Sequence, residues 1–129
     1  MSTDFTLDFL DGYIRIQYPE DYEITPESQQ KLWVAIGEAC DKYNCWCVLA
    51  ESLVPPKRNM THVDAFKSAG QAAKVSRDLR VALVLQDYSP DETTEFFMNS
   101  AYKMGVRIEF FTDREEALKW LGIDGGKVT

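Results

Sequence analysis

The chain has 129 residues, a length that suits one domain with a single core. Hydrophobic residues at 45% and charged residues at 27% are globular proportions and exclude a disordered chain. A net charge of −7 excludes general nucleic-acid binding, which needs a basic surface.

No apolar run approaches the ~18 residues of a membrane span. Met1-Ser2-Thr3-Asp4 lacks the basic-then-apolar order of a signal peptide. These features predict a cytoplasmic protein without an integral membrane segment. Its three cysteines, an odd number, fit reduced thiols better than a disulfide framework.

Phe5, Leu7 and Phe9 alternate with Thr6 and Asp8, and Ile14, Ile16 and Tyr18 alternate with Arg15 and Gln17. Asp11-Gly12 between them is a two-residue hairpin signal, because both residue types tolerate positive φ. Two strands are therefore expected over 5–10 and 13–18. Thr25 as N-cap and Pro26 in the first turn open a helix that runs to about Tyr43. Leu32, Trp33, Ile36, Ala39 and Cys40 give it an apolar side. Cys45 to Ala50 is a short apolar run and reads as a buried strand.

A loop from Leu53 to Met60 follows, with Pro55-Pro56 and then Lys57-Arg58. Thr61 and Asp64 have capping-box spacing and start a second helix. Val63, Phe66, Gly70 and Ala73 are expected to form its narrow, sheet-facing side. Leu79 to Leu85 is apolar on both faces, the pattern of a strand near the centre of a covered sheet. Ser89-Pro90-Asp91-Glu92 marks the start of a third helix ending near Met104, with Gly105 past its end. Phe97, Ala101 and Met104, with Thr93 and Ser100, would face the sheet. Val106, Ile108 and Phe110 make the last strand. Thr112 and Glu115 have the spacing of a capping box for a final helix, whose apolar side is Ala117, Leu118 and Leu121. Residues 1–123 are read as one domain and 124–129 as a flexible tail.

The order β-β-α-β-α-β-α-β-α predicts an α/β domain: one five-stranded mixed sheet, parallel apart from the opening hairpin, with helices on both faces.

Three runs carry a family resemblance: Thr61-His62-Val63-Asp64-Ala65-Phe66, the strand Leu79 to Leu85, and the ending from Val106 to Leu121. With the element order, they make residues 5–123 resemble the SpoIIAA-like branch of the STAS superfamily. The resemblance implies a SpoIIAA-like fold and a non-enzymatic binding or regulatory domain, with its partner contact in the loop after the third predicted strand. Anti-sigma antagonists of that superfamily carry a phosphorylated serine in an Asp-Ser pair at the following helix start. This chain lacks the pair; its nearest hydroxyls are Ser52, preceded by Glu51, and Thr61. The branch is also related in fold to CRAL-TRIO (SEC14-type) lipid-binding domains, which implies the alternative of a small apolar-ligand carrier with a pocket beneath the second and third helices.

The residues themselves point to the same loop. Residues 55–80 hold six basic side chains against two acidic ones in an otherwise acidic chain. Lys57, Arg58, Thr61 and His62 lie where a helix start offers free N–H groups, so they are the candidates for binding an anion or an acidic partner. Phe96, Met98 and Tyr102 would project away from the sheet-facing arc of the third helix and are the candidates for a homodimer interface. Cys40, Cys45, Cys47 and His62 have the residue types of a zinc site. Cys45-Trp46-Cys47 in a buried strand is nonetheless unlike a Cys-x2-Cys knuckle. The three thiols are therefore expected to be buried and unligated, with no metal and no cofactor. Neither a phosphate-binding glycine loop nor a nucleophile–base pairing is present, and no catalytic residue is assigned.

Overall fold

The computed structural model describes residues 5–10, 12–19, 22–52, 57–58, 61–75, 78–85 and 92–123, with 57–58 described by backbone alone. The elements in chain order are β1 (Thr6–Leu10), β2 (Tyr13–Gln17), β3 (Glu23–Ile24), α1 (Pro26–Tyr43), β4 (Cys47–Ser52), β5 (Lys57–Arg58), α2 (His62–Val75), β6 (Arg80–Leu85), α3 (Glu92–Lys103), β7 (Arg107–Phe111) and α4 (Arg114–Leu121). Five strands form a mixed sheet in the order β1-β2-β4-β6-β7. Only the β1–β2 hairpin is antiparallel. It turns at Gly12, whose φ of +91° is open to glycine and costly for residues with a Cβ.

The predicted α/β class and five-stranded mixed sheet hold, with one correction. Residues 23–24 and 57–58 form a separate two-stranded parallel ribbon, β3·β5, which no periodicity announces because each strand is two residues long. The strand expected near the centre of the sheet, β6, is internal, between the central β4 and the edge strand β7. The expected helix start at Ser89-Pro90-Asp91 and the tail 124–129 lie outside the described residues.

Each crossover steps the chain one strand further in the same direction. Connections of one hand then bring α1, α2 and α3 to a single face of the sheet. There they cover Ile14, Ile16, Val48, Ala50 and Val81. The other face is left to α4, which follows the last strand and covers Tyr13, Leu49, Ala82 and Val84 with Ala117, Leu118 and Leu121. Register accounts for the division: Ile14, Val48 and Val81 stand in one row across the sheet, and Arg15, Leu49 and Ala82 in the next, facing the opposite way.

Capping follows the sequence at α1. The Thr25 hydroxyl accepts from the Ser28 N–H at 3.1 Å, and the Ser28 hydroxyl accepts from the Thr25 N–H at 2.8 Å. At α4 the cap is Asp113, whose carboxylate accepts from the Glu115 N–H, so the expected Thr112 cap is one residue early. Asp is as good a cap as Thr, and spacing alone could not separate the two.

The largest departure is the face of α2. Its buried residues are Ala65, Ser68, Ala69 and Ala72, while Val63 is 63% and Phe66 50% exposed. The helix is turned by roughly a third of a turn from the expected face. A buried polar cluster explains this. The Ser68 hydroxyl oxygen accepts from Gln29 Nε2 at 2.9 Å and from Trp33 Nε1 at 2.8 Å. Gln29 and Trp33 are buried on α1, so α2 must present Ser68 to them to satisfy two buried donors.

Ser68→Ala should therefore destabilise the fold by about 2 kcal/mol, the cost of leaving those donors unmet. Equilibrium denaturant unfolding measures it; a loss within the range of an ordinary surface substitution would show that the cluster does not set the helix face.

Candidate functional site

The parallel strands β2, β4, β6 and β7 all end at one edge of the sheet, near Gln17, Ser52, Leu85 and Phe111. The N-termini of the following helices gather at the same edge. In open α/β sheets ligands bind outside the carboxyl ends of the strands.

An apolar cavity of about 90 Å³ lies at this end, on the face covered by α1, α2 and α3. Its floor is the sheet: Tyr18, Ala50, Val81, Leu83, Leu85, Ile108 and Phe110. Leu32, Trp33 and Ile36 of α1, Ala65 of α2, and Thr93, Thr94 and Phe97 of α3 form its walls, with Ile24 of β3 and Gln29. None of these lining residues is charged. Side-chain size explains the space. α2 contributes only Ala65 to the lining, beside Ala50, and its larger Val63 and Phe66 are exposed. Leu83, Phe97 and Phe110 are consequently only half-buried although they lie on the covered face. Tyr18 stacks on Tyr22 with ring centroids 4.6 Å apart, and burial beside a second phenol pushes the Tyr18 hydroxyl far above its ordinary pKa. It stays protonated and neutral.

The opposite face of the same edge is polar. Glu51, at the end of the central strand, has a side chain only 13% exposed. Arg114, the first residue of α4, grips it in a fork: Nε donates to Oε1 at 3.0 Å and Nη2 to Oε2 at 2.6 Å. Gln17 Nε2 donates to Oε2 at 3.3 Å, and Arg15 Nε stands 3.7 Å from it. The forked contact fastens the start of α4 to the end of the central strand. No local signal reveals the pair, because its members are 63 positions apart.

The predicted loop residues are only partly brought together. The backbone of Lys57 and Arg58 pairs with Glu23 and Ile24, which sets the basic pair beside a cavity-lining residue. Thr61 and Asp64 form the expected capping box: the Thr61 hydroxyl accepts from the Asp64 N–H at 3.2 Å, and the Asp64 carboxylate accepts from the Thr61 N–H at 3.1 Å. Those two N–H groups are therefore occupied by the helix's own side chains. His62 is exposed and tilts against Phe96 of α3, ring centroids 5.1 Å apart. Ser52 is buried at the end of β4, whereas Thr61 is exposed. Of the interface candidates, Phe96 is 38% and Tyr102 69% exposed, but Met98 packs partly buried against the main core.

The thiols gather at the other edge of the sheet. Cys40 is buried, and burial pushes its pKa up to about 12. Cys45 and Cys47 are half-buried, which corrects the expectation that all three are enclosed. The cause is the strand boundary: β4 begins at Cys47, so Cys45 lies before it. Cys47 faces the side covered by the short α4, where its thiol donates to the Leu121 carbonyl at 3.7 Å. His62, at the opposite edge, is remote from them. Among the described residues no group of three or more His, Cys, Asp or Glu is placed to hold a metal ion, and no helix is long and apolar enough to cross a membrane.

Comparison of the sequence with protein-family models and with curated proteins finds no match.

In the native protein a thiol reagent should modify Cys45 and Cys47 well before Cys40. Because the folded state holds the Cys40 thiol protonated, its contribution to stability is present below the ordinary thiol pKa and is lost as pH rises from about 9 toward 12. Mass-resolved labelling across that range checks both statements; three thiols labelled at one rate at pH 8 would contradict them.

Proposed function

We propose that the chain is a non-enzymatic binding domain that takes a small apolar ligand into the cavity at the carboxyl edge of its sheet. One observation carries this reading: the cavity lies at the edge where α/β sheets bind ligands, and every residue lining it is uncharged. Apolar cavities remain dry and accept apolar guests; an engineered one of about 150 Å³ takes up benzene or xenon. The present volume of about 90 Å³ is smaller and suits a guest no larger than these, or the end of a longer one. The SpoIIAA-like resemblance, with its relation to lipid-binding folds, belongs to the same proposal.

A second reading concerns the rim. Lys57 and Arg58 are held by the β3·β5 ribbon next to Ile24, which lines the cavity. This favours an anionic head group or an acidic partner surface at that side, with the apolar part inside. The capping box leaves this contact to the two basic side chains and the Thr61 hydroxyl, rather than to the N–H groups of Thr61 and Asp64.

Thermal unfolding with benzene, xenon, 1-octanol and octanoate tests both readings. A ligand at 100 times its Kd should add about 2.7 kcal/mol, a rise of several degrees in Tm. Ala50→Leu, which fills the cavity from its floor, should abolish the rise. A larger shift with octanoate than with octanol, reduced by Lys57→Ala/Arg58→Ala, would support the rim contact. No shift with any of the four compounds would overturn the apolar site.

A further inference from the structure

We infer that Cys40 and Cys45 form a reversible oxidation site, in which exchange with a small-molecule disulfide joins the end of α1 to the segment that enters β4. The backbone sets the pair up. Asn44 stands in the left-handed region, with a φ of +53°. The Cys40 carbonyl accepts from the N–H groups of both Asn44 and Cys45, the latter at 3.2 Å. A bond reaching back five residues and closed through one left-handed residue is the Schellman end of a helix. In that turn the side chains at the two ends of the long bond meet, a contact that apolar residues usually make. Here both positions are cysteines.

Packing separates this pair from the third thiol. Cys40 belongs to the core cluster on the side of the sheet covered by α1, and Cys45 packs against the same cluster. Cys47 packs instead against the cluster on the α4 side, where the Leu121 carbonyl holds its thiol. The strand thus stands between Cys47 and Cys40.

The two paired thiols differ in the way that an exchange requires. Cys45 is half-buried, and its Sγ makes only weak bonds to the carbonyls of Gly12 at 3.5 Å and Cys47 at 3.8 Å. It is the thiol that a small disulfide reaches. Cys40 is buried, and burial, followed by the neighbouring Cys45, pushes its pKa up to about 12. It is shielded from direct attack and enters second.

The Cys45 thiolate attacks one sulfur of glutathione disulfide, and the other sulfur leaves as a thiolate. Rotation about χ1 then carries Cys45 Sγ from the Gly12 carbonyl toward Cys40. Cys40 loses its proton to the released thiolate through water, attacks the Cys45 sulfur and expels the second glutathione thiolate. Two protein thiols are oxidised to one disulfide, and one small disulfide is reduced to two thiols.

Incubation of the full reduced chain with millimolar glutathione disulfide, read by intact mass and by tryptic peptides, tests this. Lys42 lies between the two cysteines, whereas no Lys or Arg separates Cys45 from Cys47. The chain should lose the mass of two hydrogen atoms. The peptide with Cys40 should be recovered joined to the peptide with Cys45 and Cys47, with fragmentation placing the bond at Cys45. Dithiothreitol should restore all three thiols. Cys47→Ser should give the same joined pair, and Cys45→Ser should give it at least about tenfold more slowly. The peptides of the native chain decide alone should either variant fail to fold. Thiols still free after a day, glutathione that stays on Cys45, or a bridge that includes Cys47 would overturn the site. So would a joined pair that Cys45→Ser forms at the native rate.

Discussion

A single hydroxyl on α2 accepts two buried hydrogen bonds from α1, and the rotation of α2 depends on it. Gln29 and Trp33 bring their N–H groups into the interior because they occur on the apolar side of α1. Burying an amide or an indole without an acceptor costs more than most single contacts return. Ser68 supplies the acceptor. Once it is presented to α1, the 3.6-residue period places Ala65, Ala69 and Ala72 toward the sheet and leaves Val63 and Phe66 outside. Hydrophobicity alone would favour the opposite choice.

Two features on different sides of the molecule share that cause. Inside, Ala65 of α2 and Ala50 of the central strand line an apolar void, with Trp33 and Phe97 in its walls and Phe110 in its floor. Outside, the displaced large side chains meet Phe96 of α3. A helix with its large residues turned inward would have filled the void and left the surface polar. The cavity and the exposed strip are therefore linked consequences of one orientation, and a change at Ser68 would be felt at both.

The sheet separates two chemistries at its carboxyl edge. Tyr18, Ala50 and Leu83 face the helix-covered side, where charge is absent from the cavity lining. At alternate positions of β2 and β4, Arg15, Gln17 and Glu51 face the other side, where the forked pair with Arg114 fastens α4. Alternation along a strand suffices to produce this contrast, because adjacent residues point to opposite faces. The polar side carries the anchor of the last helix, which allows α4, of only eight residues, to cover Leu49, Ala82 and Val84.

The sequence by itself determined nine of the eleven described elements, all but β3 and β5, and the face of most of them: the alternation in β1 and β2, the Thr25-Pro26 start of α1, the doubly apolar run of β6, and the ends of α3 and α4 at glycines. Each is a local matter, in which a few neighbouring residues set backbone preference and period. The basic pair Lys57-Arg58 and the exposed Phe96 were legible for the same reason. What only the tertiary structure decided depends on residues distant in the chain. The hydroxyl of Ser68 acquires its meaning from donors 35 and 39 positions earlier, and Glu51 from an arginine 63 positions later. The β3·β5 ribbon exists only because two short extended segments are carried side by side. The cavity is further still from the sequence, since it is the space left when α1, α2, α3 and the sheet come together, and no single segment encodes a gap among four.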